Sequence, residues 1–355
     1  MGKRLINSSF YSNYSFEYEK VFELEKKEVL IHNLFCFLES LEKEIQFNSF
    51  EIGFSWPKNK DISIEFKYSV RDRLIDLLIN DLNKKHDTIG HDAFFLIDLG
   101  KSSLFLYLMP VYIQGNYCKF SREIAQTEHF CRFCHGRGCS KCNNSGNIIE
   151  NSVEQLLSKI IVKEFGAKQL ILHGAGREDS DVLMLGKGRP FILEIVCPKK
   201  RFVDLKLIQE KVNNSLKEIS INSLKIVSKK DVVVVKNSVH DKIYSAIIYC
   251  SENLVQTDIS KINTLLNKKM CVEQLTPVRV QKRRALLNRK KEVTFLSFKK
   301  INDNEFELKM RTSHGTYVKE FISGDEERTK PSLNSIINKN CVCKQLDVIE
   351  ICDLD

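Results

Sequence analysis

Four cysteines within twelve residues, Cys131, Cys134, Cys139 and Cys142, constrain this chain more than any other feature. They form two Cys-x2-Cys steps, each able to present two thiolates through a tight turn, with Gly136, Gly138 and Gly146 supplying permissive backbone. Four soft ligands that close a tetrahedron without an open position describe a structural Zn2+ site, one that shapes a fold rather than performing catalysis. The pairs stand closer together than in the usual zinc ribbon. That leaves an iron–sulfur cluster, or two half-sites completed elsewhere, as alternatives. His135 is a spare candidate ligand.

Around this knuckle the composition is that of a globular chain. The 355 residues are 43% hydrophobic, enough for about two domains, each with a core. No apolar run approaches the roughly 18 residues of a membrane span, and the run from Leu104 to Ile113 is broken by Pro110. With no signal-peptide pattern after Met1, the expectation is a soluble, cytoplasmic protein, or a nuclear one in a eukaryote. The other eight cysteines have no metal-type spacing apart from Cys341 and Cys343, and they read as small buried hydrophobes. A net charge of +9 and a pI of about 8.8 are compatible with nucleic acid. Seven basic residues and no acid lie between Arg279 and Lys291 (Arg279, Lys282, Arg283, Arg284, Arg289, Lys290, Lys291). Such a run either contacts phosphate or keeps a strand edge soluble.

Hydrophobic periodicity gives an α+β chain. Before the knuckle, residues 17–50 read as an amphipathic helix, Ile62 to Phe66 as a strand and Val70 to Leu82 as a helix. Ala93 to Asp98 and Ser103 to Ile113 read as buried strands around a Gly100-Lys101-Ser102 turn. After the knuckle, Ser152 to Gln155 is a capping box for a helix ended by Gly166. Strands are expected near 169–173, 181–186, 190–196, 231–236, 243–249 and 271–280, with a helix at about 258–269. Asn302-Asp303-Asn304 joins a hairpin, and Pro331-Ser332 opens a last short helix. Strands and helices do not strictly alternate, so the sheet should be mixed or antiparallel.

Gly174-Ala175-Gly176 and Gly186-Lys187-Gly188 each begin a dinucleotide-type pattern, but Asp179 and Phe191 stand where its third glycine belongs. A different chemistry fits the first. Gly176-Arg177-Glu178-Asp179-Ser180-Asp181 feeds an apolar strand and can put one carboxylate at a cleft edge beside a guanidinium. Arg177 would hold Asp179 ionised, which suits a nucleophile better than a proton donor. Taken alone, such a segment is more often a polar turn with a solvated acidic cluster. Three further segments fit the first reading. Tyr244 opens an apolar strand, Thr276 to Arg279 precedes the basic run, and His314 to Phe321 carries Tyr317 and Lys319. Buried tyrosines are mostly core residues, but beside a nucleophilic Asp and a basic groove one can stack on a flipped base.

Together these segments resemble the "Pus-ten" family of tRNA pseudouridine synthases, found in archaea and many eukaryotes. The resemblance rests on Gly174 to Val182, Gly188 to Glu194, Tyr244 to Ala246, and Thr276 to Val280 with Arg283-Arg284. It continues through Gly315 to Phe321, Gly324-Asp325 and Arg328-Thr329. Tyr117 to Arg122, with Gln126-Thr127, is similar to the family's segment ahead of the knuckle. The likeness is good from residue 112 onward and weak before it.

The resemblance implies a THUMP-related RNA-binding domain (1–127), the four-cysteine zinc knuckle (128–147) and a pseudouridine synthase domain on a mixed or antiparallel sheet (148–355). It implies action on T-loop uridines of tRNA, at position 55 with position 54 as the second. By position, Asp179 is the nucleophile, attacking the uracil ring or the sugar C1′. Arg177 orients it and touches phosphate, Tyr244 and Tyr317 contact the base, and Arg279, Lys282, Arg283, Arg284 and Lys319 contact RNA. The partner implied is tRNA, with structural Zn2+, no cofactor for catalysis, no membrane and no obligate protein partner. The chain departs from the family pattern at Leu183 and Asn116, where Arg is usual, at Gln281-Lys282, where Leu-His is usual, and in lacking an N-terminal Cys-x2-Cys pair. Leu183 and Asn116 bear on RNA contacts and on the choice between neighbouring uridines, not on Asp179 or the tyrosines.

Two other functions compete. One is a zinc-stabilised RNA-binding protein on the same scaffold without turnover. The other is a Mg2+-dependent nuclease using Glu178, Asp179 and Asp181, which leaves Arg177 unexplained.

Overall fold

The computed structural model describes residues 14–17, 26–56, 62–99, 103–147, 149, 151–282 and 284–352. Two sheets organise them, and each has its own core. The first sheet contains β1 (Tyr14–Glu17), β2 (Ser49–Ser55), β3 (Lys85–His86), β4 (Ala93–Asp98) and β5 (Ser103–Leu108), in the order β1-β5-β4-β2-β3. Alternation along β4 turns Ala93, Phe95 and Ile97 inward. They share a core with Leu30, Leu34 and Leu38 of α1 (Lys27–Glu42) and Val70, Leu74 and Leu78 of α2 (Ile64–Asn80).

Two expectations for this part need correction. The helix expected over 17–50 is confined to α1, and β2 begins at Ser49. Ile62 to Phe66 does not form a strand. Ser63 caps α2, its hydroxyl accepting from the Phe66 N–H at 3.2 Å. Five alternating residues cannot compete with a capped helix whose apolar stripe runs on for several turns.

The larger sheet contains β6 (Val111–Lys119), β7 (Gln169–Gly174), β8 (Leu183–Val196), β9 (Ile219–Val227) and β10 (Lys242–Cys250). It is completed by β11 (Lys269–Leu275), β12 (Asn288–Lys300), β13 (Glu305–Thr312), β14 (Thr329–Lys330) and β15 (Cys341–Ile351). The order is β14-β11-β12-β13-β10-β15-β8-β6-β9, with β7 also on β8. Every pairing is antiparallel except β15 with β8, so the sheet is mixed and the chain α+β, as expected. Because β6 belongs here, strand pairing divides the chain at Met109-Pro110, and residues 111–127 go with the larger sheet. Arg201 ties the two parts, pairing with Asp92 at 3.0 Å and donating to the Met109 carbonyl at 2.6 Å.

Among the described residues six helices accompany this sheet: α3 (Val153–Phe165), α4 (Leu205–Ser215), α5 (Lys229–Asn237), α6 (Gln256–Thr264), α7 (Val318–Ser323) and α8 (Leu333–Ile337). Ser152 caps α3 through the Gln155 N–H, and Gly166 ends it in the left-handed region, φ 54°. The strand expected at 231–236 is instead α5. The carboxylate of Asp231 bonds back to the Ser228 N–H and sets a helix start, overriding the strand preference of four consecutive valines. α4 and β9 were not anticipated, and the strands expected at 181–186 and 190–196 are one long β8.

The cysteines also differ from expectation. Cys250 and Cys341, directly opposite each other on β10 and β15, form a disulfide, and Cys36 and Cys271 are exposed. Cys118 and Cys197 are buried as expected. Among the described residues no helix is long and apolar enough to cross a membrane.

Candidate active site

The turn between β7 and β8 carries Asp179 at the edge of a cavity of about 310 Å³. Three strands place Tyr244 beside it. Val348 of β15 pairs with Tyr244 of β10 on one side and with Met184, just after the turn, on the other. A single 3-10 turn, Val278–Val280, brings Arg279 to the same cavity, and the start of α7 brings Tyr317 and Lys319.

Asp179 keeps 44% of its side chain exposed, open to a ligand. Its carboxylate stands 3.5 Å from the Arg279 guanidinium and 3.5 Å from the Lys319 ammonium. Arg177, expected to be its partner, turns instead to the His129 ring. The cations facing Asp179 therefore come from segments distant in sequence. Arg279 is itself fixed by Glu320, a buried carboxylate, and lies 6.0 Å from the Tyr317 ring centre. Buried Gln274 holds the Tyr317 backbone from both sides, accepting from its N–H at 2.9 Å and donating to its carbonyl at 3.0 Å. Burial, opposed by Arg189 and aided by Glu178 and Asp179, pushes the Tyr244 phenol up to about 12, so it stays neutral near pH 7.

Glu178 and Asp181 do other work. Glu178 is buried against Arg189 at 2.8 Å, close as charges though off the line of a hydrogen bond, and accepts from the Tyr117 hydroxyl at 2.7 Å. Asp181 pairs with Lys319 at 2.8 Å. Each acid of the turn already faces a cation, Lys319 being shared by Asp179 and Asp181. Among the described residues the one metal-type cluster is that of the four cysteines, so a Mg2+ site built from these acids has no support.

The segment Tyr117 to Gln126 clamps the turn, residue by residue. Gln126 donates to the Gly176 carbonyl at 3.0 Å and Tyr117 to Glu178. Lys119 donates to the carbonyls of Ser180 at 2.6 Å, Asp179 at 3.4 Å and Ile124 at 3.0 Å. Arg122 donates to the Asp181 carbonyl at 2.8 Å and pairs with Asp347. Gly176, at φ 80°, leaves room where a Cβ would stand 3.2 Å from Arg189. Sequence reasoning gave Lys119, Arg122, Arg189 and Gln274 no role. Lys119 and Arg122 fall in the Tyr117 to Arg122 segment and Arg189 in Gly188 to Glu194, both of which carry the family resemblance, whereas Gln274 is marked only as a polar residue in an expected strand.

Burial brings the Lys119 ammonium down to about 8, with Glu178 and Asp181 holding it up and Arg122 and Arg189 pressing it further down. A neutral amine has two donors for three carbonyls. Turnover should therefore fall as pH rises through about 8, and Lys119→Arg, which stays charged, should remove that limb. Lys242, which lines the cavity and also titrates at about 8, would be responsible if Lys119→Arg leaves the limb unchanged.

Of the residues expected to meet RNA, Arg279 and Lys319 are in the site, and Arg284 is exposed at the cavity rim. Lys282 is exposed nearby, and Arg283 lies outside the described residues. Arg289 and Lys291 are partly spent on the fold, donating to Thr276 at 3.0 Å and to the His314 carbonyl at 2.6 Å.

The four knuckle sulfurs lie within 4.8 Å of one another, with separations of 3.8 Å (Cys131 to Cys139), 3.8 Å (Cys134 to Cys142) and 3.7 Å (Cys139 to Cys142). Zn–S bonds of about 2.3 Å in a tetrahedron require sulfur separations of about 3.8 Å. The Gly138 N–H points to the Cys134 sulfur and the Cys139 N–H to the Cys142 sulfur, each at 3.2 Å. The set fits one tetrahedral ion.

A family profile described as "Pus10, C-terminal" matches residues 112–352. Among curated relatives, the protein named tRNA pseudouridine synthase Pus10 of Methanocaldococcus jannaschii is 37% identical over 94% of this chain and 74% of its own length. The protein of the same name from Archaeoglobus fulgidus is 35% identical over 87% of this chain and 88% of its own length. Among solved structures, a chain of a Cbf5-Nop10-Gar1 complex aligns over 67% of this chain and 58% of its own length, at 10% identity and a TM-score of 0.33. That likeness is too distant to assign any residue.

Proposed function

The chain belongs to the Pus10 family of tRNA pseudouridine synthases, and on that premise we propose that it isomerises uridine to pseudouridine in the T-loop of tRNA. The observation that carries the proposal is Asp179, exposed at the cavity edge, faced by two cations and set beside a neutral Tyr244. A polar turn of no function has no need of that arrangement. Its carboxylate attacks the uracil ring or C1′ of a flipped-out nucleotide, the N1–C1′ bond breaks, the base turns, C5 bonds to C1′, and the bond from Asp179 to the ring or to C1′ breaks to free the carboxylate. The C5 proton then leaves and N1 gains one, so the atoms balance without a redox or nucleotide cofactor. Tyr244 and Tyr317 hold the base, and Arg279 and Lys319 face the Asp179 carboxylate from 3.5 Å each. Arg177, turned toward His129, serves the phosphate backbone. Position 55 is the first target, with position 54 as the second.

The knuckle holds structural Zn2+, and the N-terminal unit is a THUMP-related domain that binds the same tRNA. A binder without turnover would share the scaffold but would leave the exposed carboxylate without purpose. The test is release of tritium from tRNA labelled at uracil C5. Release by the wild-type protein alone supports the isomerase, and tight tRNA binding without release supports the binder.

Lys282, Arg283 and Arg284 should add phosphate contacts. Reversing all three charges should weaken tRNA binding and reduce the salt slope by about 3, while slow turnover survives at saturating tRNA. An unchanged affinity would contradict that role.

A further inference from the structure

The outer face of the knuckle has a cavity of about 660 Å³ that the isomerase chemistry does not use. Arg132, Phe133, Lys141, Asn143, Ser145 and Asn147 line it, beside Cys131 and Cys142 of the knuckle itself. Phe133 is 67% exposed, large for an aromatic ring on a small, tightly folded segment, and Lys141 lies over it at 3.8 Å. From His129 to Asn147 there is no acid. Counting a bound Zn2+ and four thiolates against Arg132, Arg137 and Lys141, the segment still carries +1. The amides of Asn143 and Asn147 add donors and acceptors of the kind that read a base edge.

We infer that this face of the knuckle binds an unpaired nucleotide of the substrate tRNA, with its base against Phe133 and its phosphate near Arg132 and Lys141. An exposed aromatic ring flanked by cations is what an unstacked base needs, and a base-paired duplex offers no open face to it. This site rests on tRNA being the substrate, but it lies outside the catalytic cavity and makes no contribution to bond breaking.

The test uses the full zinc-loaded protein and a fluorescent, unmodified tRNA transcript, with metal content measured for every variant. Phe133→Ala should raise Kd about tenfold, as expected for one lost base stack, with turnover at saturating tRNA within about twofold of wild type. Arg132→Glu with Lys141→Glu should weaken binding and lower the salt slope by about 2. If Phe133→Ala loses zinc, the charge variant carries the test, since both of its side chains are exposed. A short unpaired RNA should compete better than a duplex for wild type and lose that advantage in Phe133→Ala. Kd values within twofold of wild type in zinc-loaded variants, or equal competition by both RNAs, would overturn the inference. Pseudouridine is scored on the same tRNA with the wild-type protein. Its absence would sink the isomerase reading while leaving the binding comparison intact.

Discussion

Asp179→Asn should lower single-turnover pseudouridine formation by at least about a thousandfold at saturating tRNA, the scale of loss when a nucleophile that acts with its partners is removed. The amide has nearly the same size, so the turn and its clamp by Lys119, Arg122 and Gln126 should persist. Affinity for tRNA should hold or rise, because Arg279 and Lys319 lose the carboxylate they share and face the phosphates with more net charge. Rate and Kd measured on the same tRNA separate these effects. A variant that keeps more than about a tenth of the rate would mean that Asp179 is not the nucleophile.

Arg189→Met should be the most damaging change outside the catalytic group. It leaves Glu178 as an uncompensated buried carboxylate, a loss of about 3–5 kcal/mol. For a domain of this size that is on the order of a 10 °C fall in Tm. The turn that carries Asp179 would be displaced as well, because Glu178 sits within it and Ala175 loses the guanidinium donating to its carbonyl at 2.7 Å. Adding Glu178→Gln removes the stranded charge and still accepts from Tyr117, so the double variant should regain more than half of the loss. Equal stability of the single and double variants in urea unfolding would show that the pair is not what Arg189 supports.

Much of the site was legible because its chemistry is local. Asp179 lies in a short turn, Tyr244 near the start of an apolar strand, and the knuckle's four cysteines follow one another closely. Its electrostatics were not. Arg177 is two residues from Asp179, yet the partners found there are Arg279 and Lys319, brought in by β11 and α7. Strand pairing decides which distant charges converge, and spacing along the chain carries no record of it. The same holds for Arg189 and Lys119, whose burial appears only once β6 and β8 are seen to pair. Local misreadings have local causes. The valines of α5 follow strand preference, but Ser228 and Asp231 start a helix, with Val235 packed inward and Val233 and Val234 exposed. Cys250 and Cys341, far apart in sequence, meet across β10 and β15.

Site-resolved mapping of pseudouridine on an unmodified tRNA transcript, before and after incubation with the protein alone, tests the central claim most directly. New pseudouridine confined to the T-loop, at position 55 first, is the predicted result. No new pseudouridine despite tight tRNA binding, or pseudouridine only outside the T-loop, would contradict it.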